Sequence, residues 1–268
     1  MKLSLLTRLS LRTVALAYLF ILLVLPLIII LWRTFERGIG AFIDSITTPA
    51  AISAFQLSML IVVIVVPLNV IFGVITALAL VRSNFPGRNL VQGIVDLPFA
   101  VSPVVVGVSL ILLWGAGGWF GAIENTGFKV IFSLPGMVIA TLFVTLPFVV
   151  REVEPVLHEI GDDQEQAAAT LGANRWQTFW RITLPAIRWG LTYGIVLTVA
   201  RALGEFGAVI MVSTALPGKS QTLTLLVHGR YINDHNTFGA YCAATLLMAI
   251  ALVTLLLMTL LDRKRSDR

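Results

Sequence analysis

The segment at residues 161–185, GDDQEQAAATLGANRWQTFWRITLP, lies between two long apolar runs, and its reading decides how the rest of the chain is arranged. Asp162 precedes a run of good helix formers from Gln164 to Leu171. Glu165 follows it three residues on, as in a variant capping box, and Gly172 stands where a helix stop is expected. Asn174 and Gln177 repeat the cap pattern. Trp176, Phe179, Trp180 and Leu184 then fall at helical spacing, which predicts a second short helix with one apolar stripe, ended by Pro185. The expectation is an elbow of two short helices about a glycine, at the surface of something much more apolar.

Outward from the elbow, the chain is built for lipid. Of its 268 residues 57% are hydrophobic and 12% charged, far from the roughly 45–50% and 25% of soluble domains. Mean hydropathy is +0.92. A bilayer core needs about 20 apolar residues per helix, because hydrocarbon offers no partner to a free backbone group. Runs of this kind cover residues 13–32, a stretch from about 55 to 81, residues 90–114 with Asp96 as the one interruption, residues 130–150, residues 189–212 carrying Arg201 and Glu205, and residues 238–261. We therefore expect an all-α, polytopic membrane protein of six transmembrane helices. It would be one domain over 1–268, with an N-terminal helix at 13–32, core helices over about 55–261 and one long loop at 151–189. Lys2, Arg8 and Arg12 precede the first run as in a signal peptide, but the apolar stretch is too long and no small-residue cleavage site follows, so it reads as retained. The single cysteine, Cys242, falls inside the sixth run and excludes an internal disulfide or a cysteine metal site.

Orientation follows from the distribution of Lys and Arg, which concentrate on the cytoplasmic side. One face carries Lys2, Arg8, Arg12, Arg82, Arg88, Arg151, Arg175, Arg181, Arg188, Arg263, Lys264, Arg265 and Arg268; the other carries only Arg33, Arg37, Lys129, Lys219 and Arg230. Both termini and the elbow are thus expected inside. The net charge of +5 is explained by these topology signals and by headgroup contact, without nucleic acid.

The elbow resembles a known signature. Gln166-Ala167-Ala168, Gly172-Ala173, Phe179, Ile182 and Leu184-Pro185 match the cytoplasmic "EAA" loop of permease subunits of bacterial ABC importers: E-A-A, three residues, G, then I-x-L-P. The resemblance implies the type I importer permease fold and a loop that seats in a groove of a separate, homodimeric ATPase. On that basis Asp163, Glu165, Gln166, Ala167, Ala168, Ala169, Leu171, Gly172, Ala173 and Arg175 are the expected docking residues. The chain departs from the signature at one point: the glutamate position holds Gln166 and the acid stands one earlier, at Glu165.

Further stretches narrow the likeness. DLPFAVSP at 96–103, REVEPVL at 151–157 and RALGEFGAV at 201–209 look like the sulfate/molybdate branch of these permeases, over most of the chain from about residue 55. Within the branch, the Ser-Pro after Pro98 and the Arg-Trp-Gly at 188–190 most resemble W-type subunits of sulfate/thiosulfate importers. The resemblance implies a sister T-type permease, a periplasmic or lipid-anchored sulfate-binding protein, an inner-membrane location, and ATP and Mg on the ATPase, with no cofactor on this chain. Molybdate or another oxyanion is the alternative cargo.

Charges inside spans cost about 2.5–3.5 kcal/mol each on insertion scales, so each is a site candidate. Arg201 and Glu205, at i and i+4, read first as a self-neutralising pair facing the bundle and second as an electrostatic element of an anion pathway. Asp96 caps its helix or pairs with Arg82 or Arg88, and Ser102 stands beside it as a polar pathway candidate. Thr222, Thr224, Tyr231 and Asn233 fall on the longest outer loop, where they read either as ordinary solvated loop polarity or as the place where a binding protein would dock. Gly218-Lys219-Ser220 imitates the end of a Walker A loop, but the first glycine is replaced by Ser213, so it reads as an outer turn. His158, His228 and His235 lack metal-ligand spacing, and no residue is assigned to catalysis. A secondary transporter would show inverted repeats and ionisable sites in broken helices, and a membrane enzyme clustered acids, bases or ligands; neither pattern is evident in the sequence.

Overall fold

The computed structural model describes residues 5–266, with side chains for all of these except 5–9, 124–125, 257–258 and 260–266. Lys2 and Arg268 lie outside the described residues, as do the side chains of Arg8, Arg263, Lys264 and Arg265. The helices run in the order α1 Leu5–Leu19, α2 Leu25–Phe35, α3 Gly38–Ile46, α4 Pro49–Arg82, α5 Arg88–Ala100, α6 Pro103–Trp114, α7 Leu134–Ile160, α8 Asp163–Thr170, α9 Arg175–Thr178, α10 Leu184–Leu203, α11 Gly207–Val212, α12 Leu223–His228 and α13 Thr237–Ser266. Among the described residues, five continuous helical stretches are long and apolar enough to cross a membrane: Ser10–Phe35, Pro49–Arg82, Leu134–Ile160, Arg175–Leu203 and Thr237–Leu256. The bent pair α5 and α6 makes a sixth.

That third span is not the single helix expected from residues 90–114. The chain bends by 114° between its halves, and at 1.5 Å per residue each is only about 18–20 Å long, short of a hydrocarbon core of about 30 Å. Proline chemistry explains the break. Pro103 cannot continue α5, and it forces Ser102 into extended backbone (φ −59°, ψ 134°), after which it begins α6 as its first residue. The fifth span also differs from the 189–212 run. Gly204 ends α10, Glu205 and Phe206 are unwound, and 207–212 is a separate short helix.

Pro185, expected to end the elbow's second helix, does not do so. The turn before it, Phe179–Thr183, widens to π-helix, with the Leu184 amide donating to the Phe179 carbonyl. The wider turn accommodates a residue that has no N–H and would clash with the carbonyl four back. The same device joins α1 to α2, where the π turn Phe20–Val24 precedes Pro26.

The centre of the bundle is α4, α7 and α10. In lipid no hydrophobic force drives helices together, so small residues that permit close backbone approach do much of the work. Gly190 and Gly194, one turn apart on α10, lie against α7: a Cβ on Gly190 would sit 2.6 Å from the Glu152 carbonyl oxygen, and one on Gly194 3.0 Å from Val149 Cα. Gly73 of α4 meets Val149 from the other side. A buried hydrogen bond from Asn69 Nδ2 to Thr145 Oγ1, 2.6 Å, ties α4 to α7. By contrast, the hydrophobic window of the first span is entirely unburied within this chain; α2 is pinned to α13 by the Thr34–Thr245 hydroxyl pair, 2.8 Å.

Contacts at the two ends sort the chain into two faces that agree with the charge count. Arg82, Leu157, Gly161 and Glu165 meet on one. On the other, Arg37 lies over the Phe238 ring, and buried Arg230 donates to the Ser45 and Gly239 carbonyls and the Thr48 hydroxyl.

Gly190→Ala should therefore lower stability in detergent by about 1–3 kcal/mol, the usual range for overpacking, because its new Cβ meets backbone that cannot give. Gly40→Ala, with nothing within 4 Å of the added atom, should show no loss. Thermal unfolding of the purified permease compares the two.

Candidate functional site

The elbow is built from glycines at its corners. Gly161 closes α7 at φ 61°, ψ −165°, a region essentially restricted to glycine. Gly172 turns the chain after α8 at φ 86°. Between them α8 has two distinct faces. Asp163, Gln166, Ala167, Ala169 and Thr170 are exposed, Leu171 just beyond is 88% exposed, and Gly172 and Arg175 also face out; Glu165 and Ala168 turn inward, and Ala173 is half-buried. The three alanines thus do not form one smooth surface. Ala167 and Ala169 are offered outward while Ala168 is buried.

The second cap pattern forms as expected: Asn174 Oδ1 accepts from the Gln177 amide at 2.8 Å, and Gln177 Oε1 accepts from the Asn174 amide at 3.0 Å. The first does not. Asp162 makes no side-chain cap bond, and Glu165 is engaged elsewhere. Its Oε2 accepts from Arg82 Nε at 3.0 Å, while its Oε1 accepts from Arg82 Nη2 at 3.3 Å and from Thr183 Oγ1 at 2.8 Å. The same guanidinium donates to the carbonyls of Leu157 at 3.2 Å and Gly161 at 2.6 Å. Arg82 can reach this point because α4, at 34 residues, is about 50 Å long and outruns the hydrocarbon core. After the elbow, Trp176 and Trp180 stand exposed and edge-to-face, 5.6 Å between ring centroids.

Asp96 pairs with neither Arg82 nor Arg88. Its Oδ1 accepts from Arg151 Nη2 at 2.8 Å and Nε at 3.0 Å, and the Arg151 guanidinium also covers the Phe99 ring at 4.5 Å. These contacts hold the amphipathic α5 along α7. Arg201 and Glu205 do meet, with Nη1 2.7 Å from Oε2, a close ion contact that is not an aligned hydrogen bond. Glu205 sits beyond the helix end, 1% exposed, and its Oε1 accepts from the Ala208 amide at 2.8 Å, so one carboxylate closes the break between α10 and α11. Thr224 Oγ1 donates to the Glu205 carbonyl at 2.8 Å.

The two broken spans abut. A Cβ on Gly207, at the start of α11, would touch Pro103 at 3.0 Å, which brings the exposed Ser102 corner beside the Glu205 break. The outer segment that the sequence presents as a loop is largely folded: α12 buries Leu223, Leu225 and Leu226, and Thr222 is buried. Tyr231 and Asn233 remain exposed. Residues 217–220 form the expected turn, with Gly218 at φ 76°. Arg82, Thr183 and Arg151 are the contributors that the sequence does not reveal, since their partners lie 83, 18 and 55 residues away.

Among the described residues the chain is an all-helical bundle with two broken spans and a glycine-cornered elbow, the architecture of a multi-pass membrane protein. Residues 69–267 match the family described as "Binding-protein-dependent transport system inner membrane component". The chain is 48% identical over 257 residues, covering 96% of it and 90% of the relative, to the sulfate transport system permease protein CysW of Synechococcus elongatus. It is 44% identical over 250 residues, covering 93% and 85%, to the protein of that name from Escherichia coli K12, and 35% over 251 residues, covering 93% and 87%, to the permease CysT of Synechocystis. In structure it is similar, with TM-score 0.80 over 97% of this chain and 94% of the other at 20% identity, to a chain of a bacterial alginate ABC transporter solved with an alginate-bound periplasmic protein. The chain belongs to this family of inner-membrane components and is a multi-pass permease subunit of an ABC importer.

Removing Arg201 leaves a buried carboxylate uncompensated, so Arg201→Ala should cost about 3 kcal/mol of stability. Adding Glu205→Gln in that background should restore part of the loss. Thermal unfolding of both variants checks the pair; equal stability of Arg201→Ala and the unaltered protein would show that the contact carries no weight.

Proposed function

We propose that this permease, paired with a sister subunit, forms a pathway for sulfate or thiosulfate and is driven by a separate ATPase seated on the outward face of α8. The observation that carries the docking reading is the facing of that helix. Small Ala167 and Ala169 and polar Gln166 and Thr170 lead to Leu171, an apolar side chain left almost wholly exposed at the tip. Exposed Trp176 and Trp180 follow it in the elbow, and exposed apolar groups gathered in one segment and rimmed by polar ones mark contact sites. The sulfate reading is supported by identity of 44–49% to proteins named for sulfate transport.

In this reading ATP and Mg are held by the ATPase, and a periplasmic or lipid-anchored binding protein delivers the anion to the outer face near Tyr231 and Asn233. Arg201, about one-third exposed, supplies positive potential beside the junction of the broken spans. Glu205 tempers it, so that a divalent anion is attracted without being trapped. Asp96, neutralised by Arg151, acts as a brace of α5.

Ala169→Trp places a large side chain on the outward face without disturbing a buried contact. The ATPase should then fail to co-purify with the permease, and sulfate uptake should fall by more than roughly tenfold, a loss of at least about 1.4 kcal/mol in coupling. Normal co-purification with normal uptake would overturn the docking reading.

A further inference from the structure

Glu165 is the charged residue nearest the signature position of the elbow, yet its carboxylate is withdrawn from the face that the ATPase would meet. Its side chain is 22% exposed, held by an Arg82 side chain that is 20% exposed. The neutral Gln166 is the one that faces out. The acid is therefore placed to hold the elbow from behind.

The contacts converge from four segments. Arg82 is the last residue of α4, Leu157 and Gly161 lie at the end of α7, Glu165 is in the first turn of α8, and Thr183 is at the root of α10. Among the described residues, every side-chain hydrogen bond that leaves α8 for another element ends on Glu165. The only buried residue of α8 is Ala168, whose single methyl gives little grip. Apart from the chain itself, α8 is thus tied to the spans by side-chain hydrogen bonds only through Glu165, chiefly by a forked guanidinium–carboxylate contact whose planar geometry fixes angle as well as distance.

We propose that Arg82, Glu165 and Thr183 form a positioning joint that transmits movement of the docked elbow to α4 and α10, with Glu165 acting on the spans and making no contact with the ATPase. This rests on the docking reading above, and the test separates the two.

The experiment uses the full transporter in proteoliposomes: this permease, its sister subunit, the ATPase and the binding protein, with sulfate as cargo. Glu165→Gln and Arg82→Ala should retain the ATPase on co-purification and lose roughly tenfold in sulfate taken up per ATP hydrolysed. Arg82→Lys, which keeps the charge but loses the fork, should fall between these and the unaltered protein. Full coupling in Glu165→Gln, or in Arg82→Lys should Glu165→Gln not fold, would overturn the joint. So would loss of the ATPase in Glu165→Gln with its retention in Arg82→Ala, since Glu165 would then be a direct contact. Ala169→Trp serves as the separate arm: if it retains both ATPase and coupling, the docking reading fails regardless of the joint.

Discussion

In hydrocarbon a backbone amide or carbonyl without a partner costs several kcal/mol, and every irregular feature of this permease is arranged around that constraint. Long helices satisfy it by default. Where the fifth span breaks, several of the freed groups are met. Glu205 accepts from the Ala208 amide, Thr224 donates to the Glu205 carbonyl, and the Gly204 and Glu205 amides bond back to Ala200 and Ala202. At the third span the Val101 amide reaches Leu97, and the Ser102 carbonyl accepts from Val106. At Pro26 and Pro185, which remove a donor, a π turn re-registers the ladder instead of ending it. The two breaks abut, with Gly207 against Pro103, and this junction is where the proposed pathway would find its polar groups.

The same constraint gives the elbow its mechanics. Two spans overrun the bilayer, so their ends can be joined by polar contacts in a region where water competes only partly. Arg82 and Glu165 occupy that zone, each about one-fifth exposed. A pair at this depth is less screened than a surface salt bridge and less costly to desolvate than a fully buried one. It is suited to a contact that must hold its geometry while the helices around it move. The glycines bring α7 into close contact with α10 and α4, and in the proposed coupling this close packing would carry movement along the helices rather than absorb it between them.

Much of this was legible in the sequence because apolar run length and the distribution of Arg and Lys report directly on lipid. The number of apolar runs, the split of charge between the faces, the elbow's second capping box and the turn at Gly218 follow from local pattern alone, while the breaks within the third and fifth runs do not. What local pattern does not carry is tertiary choice. Asp162 and Glu165 have the spacing of a capping box, but a guanidinium from a helix 83 residues away offers the carboxylate a better partner. Pro185 carries a stop signal that a π turn overrides. Asp96 takes Arg151 rather than the nearer arginines, because α5 runs antiparallel along α7. The spacing of Gly190 and Gly194 is itself a local signal of close helix packing.

In the proposed coupling, α8 presents one face to the ATPase and keeps the other for the spans, and this division of faces is open to a direct measurement. It is tested most directly by single-cysteine substitution across residues 163–172, labelled with a membrane-impermeant thiol reagent from the cytoplasmic side with and without bound ATPase. Cys242, the one native thiol, is buried and supplies little background. Protection by the ATPase should appear at 166, 167, 169 and 171, and should be absent at 165 and 168. Protection at 165 and 168, or none that follows the helix face, would contradict the account.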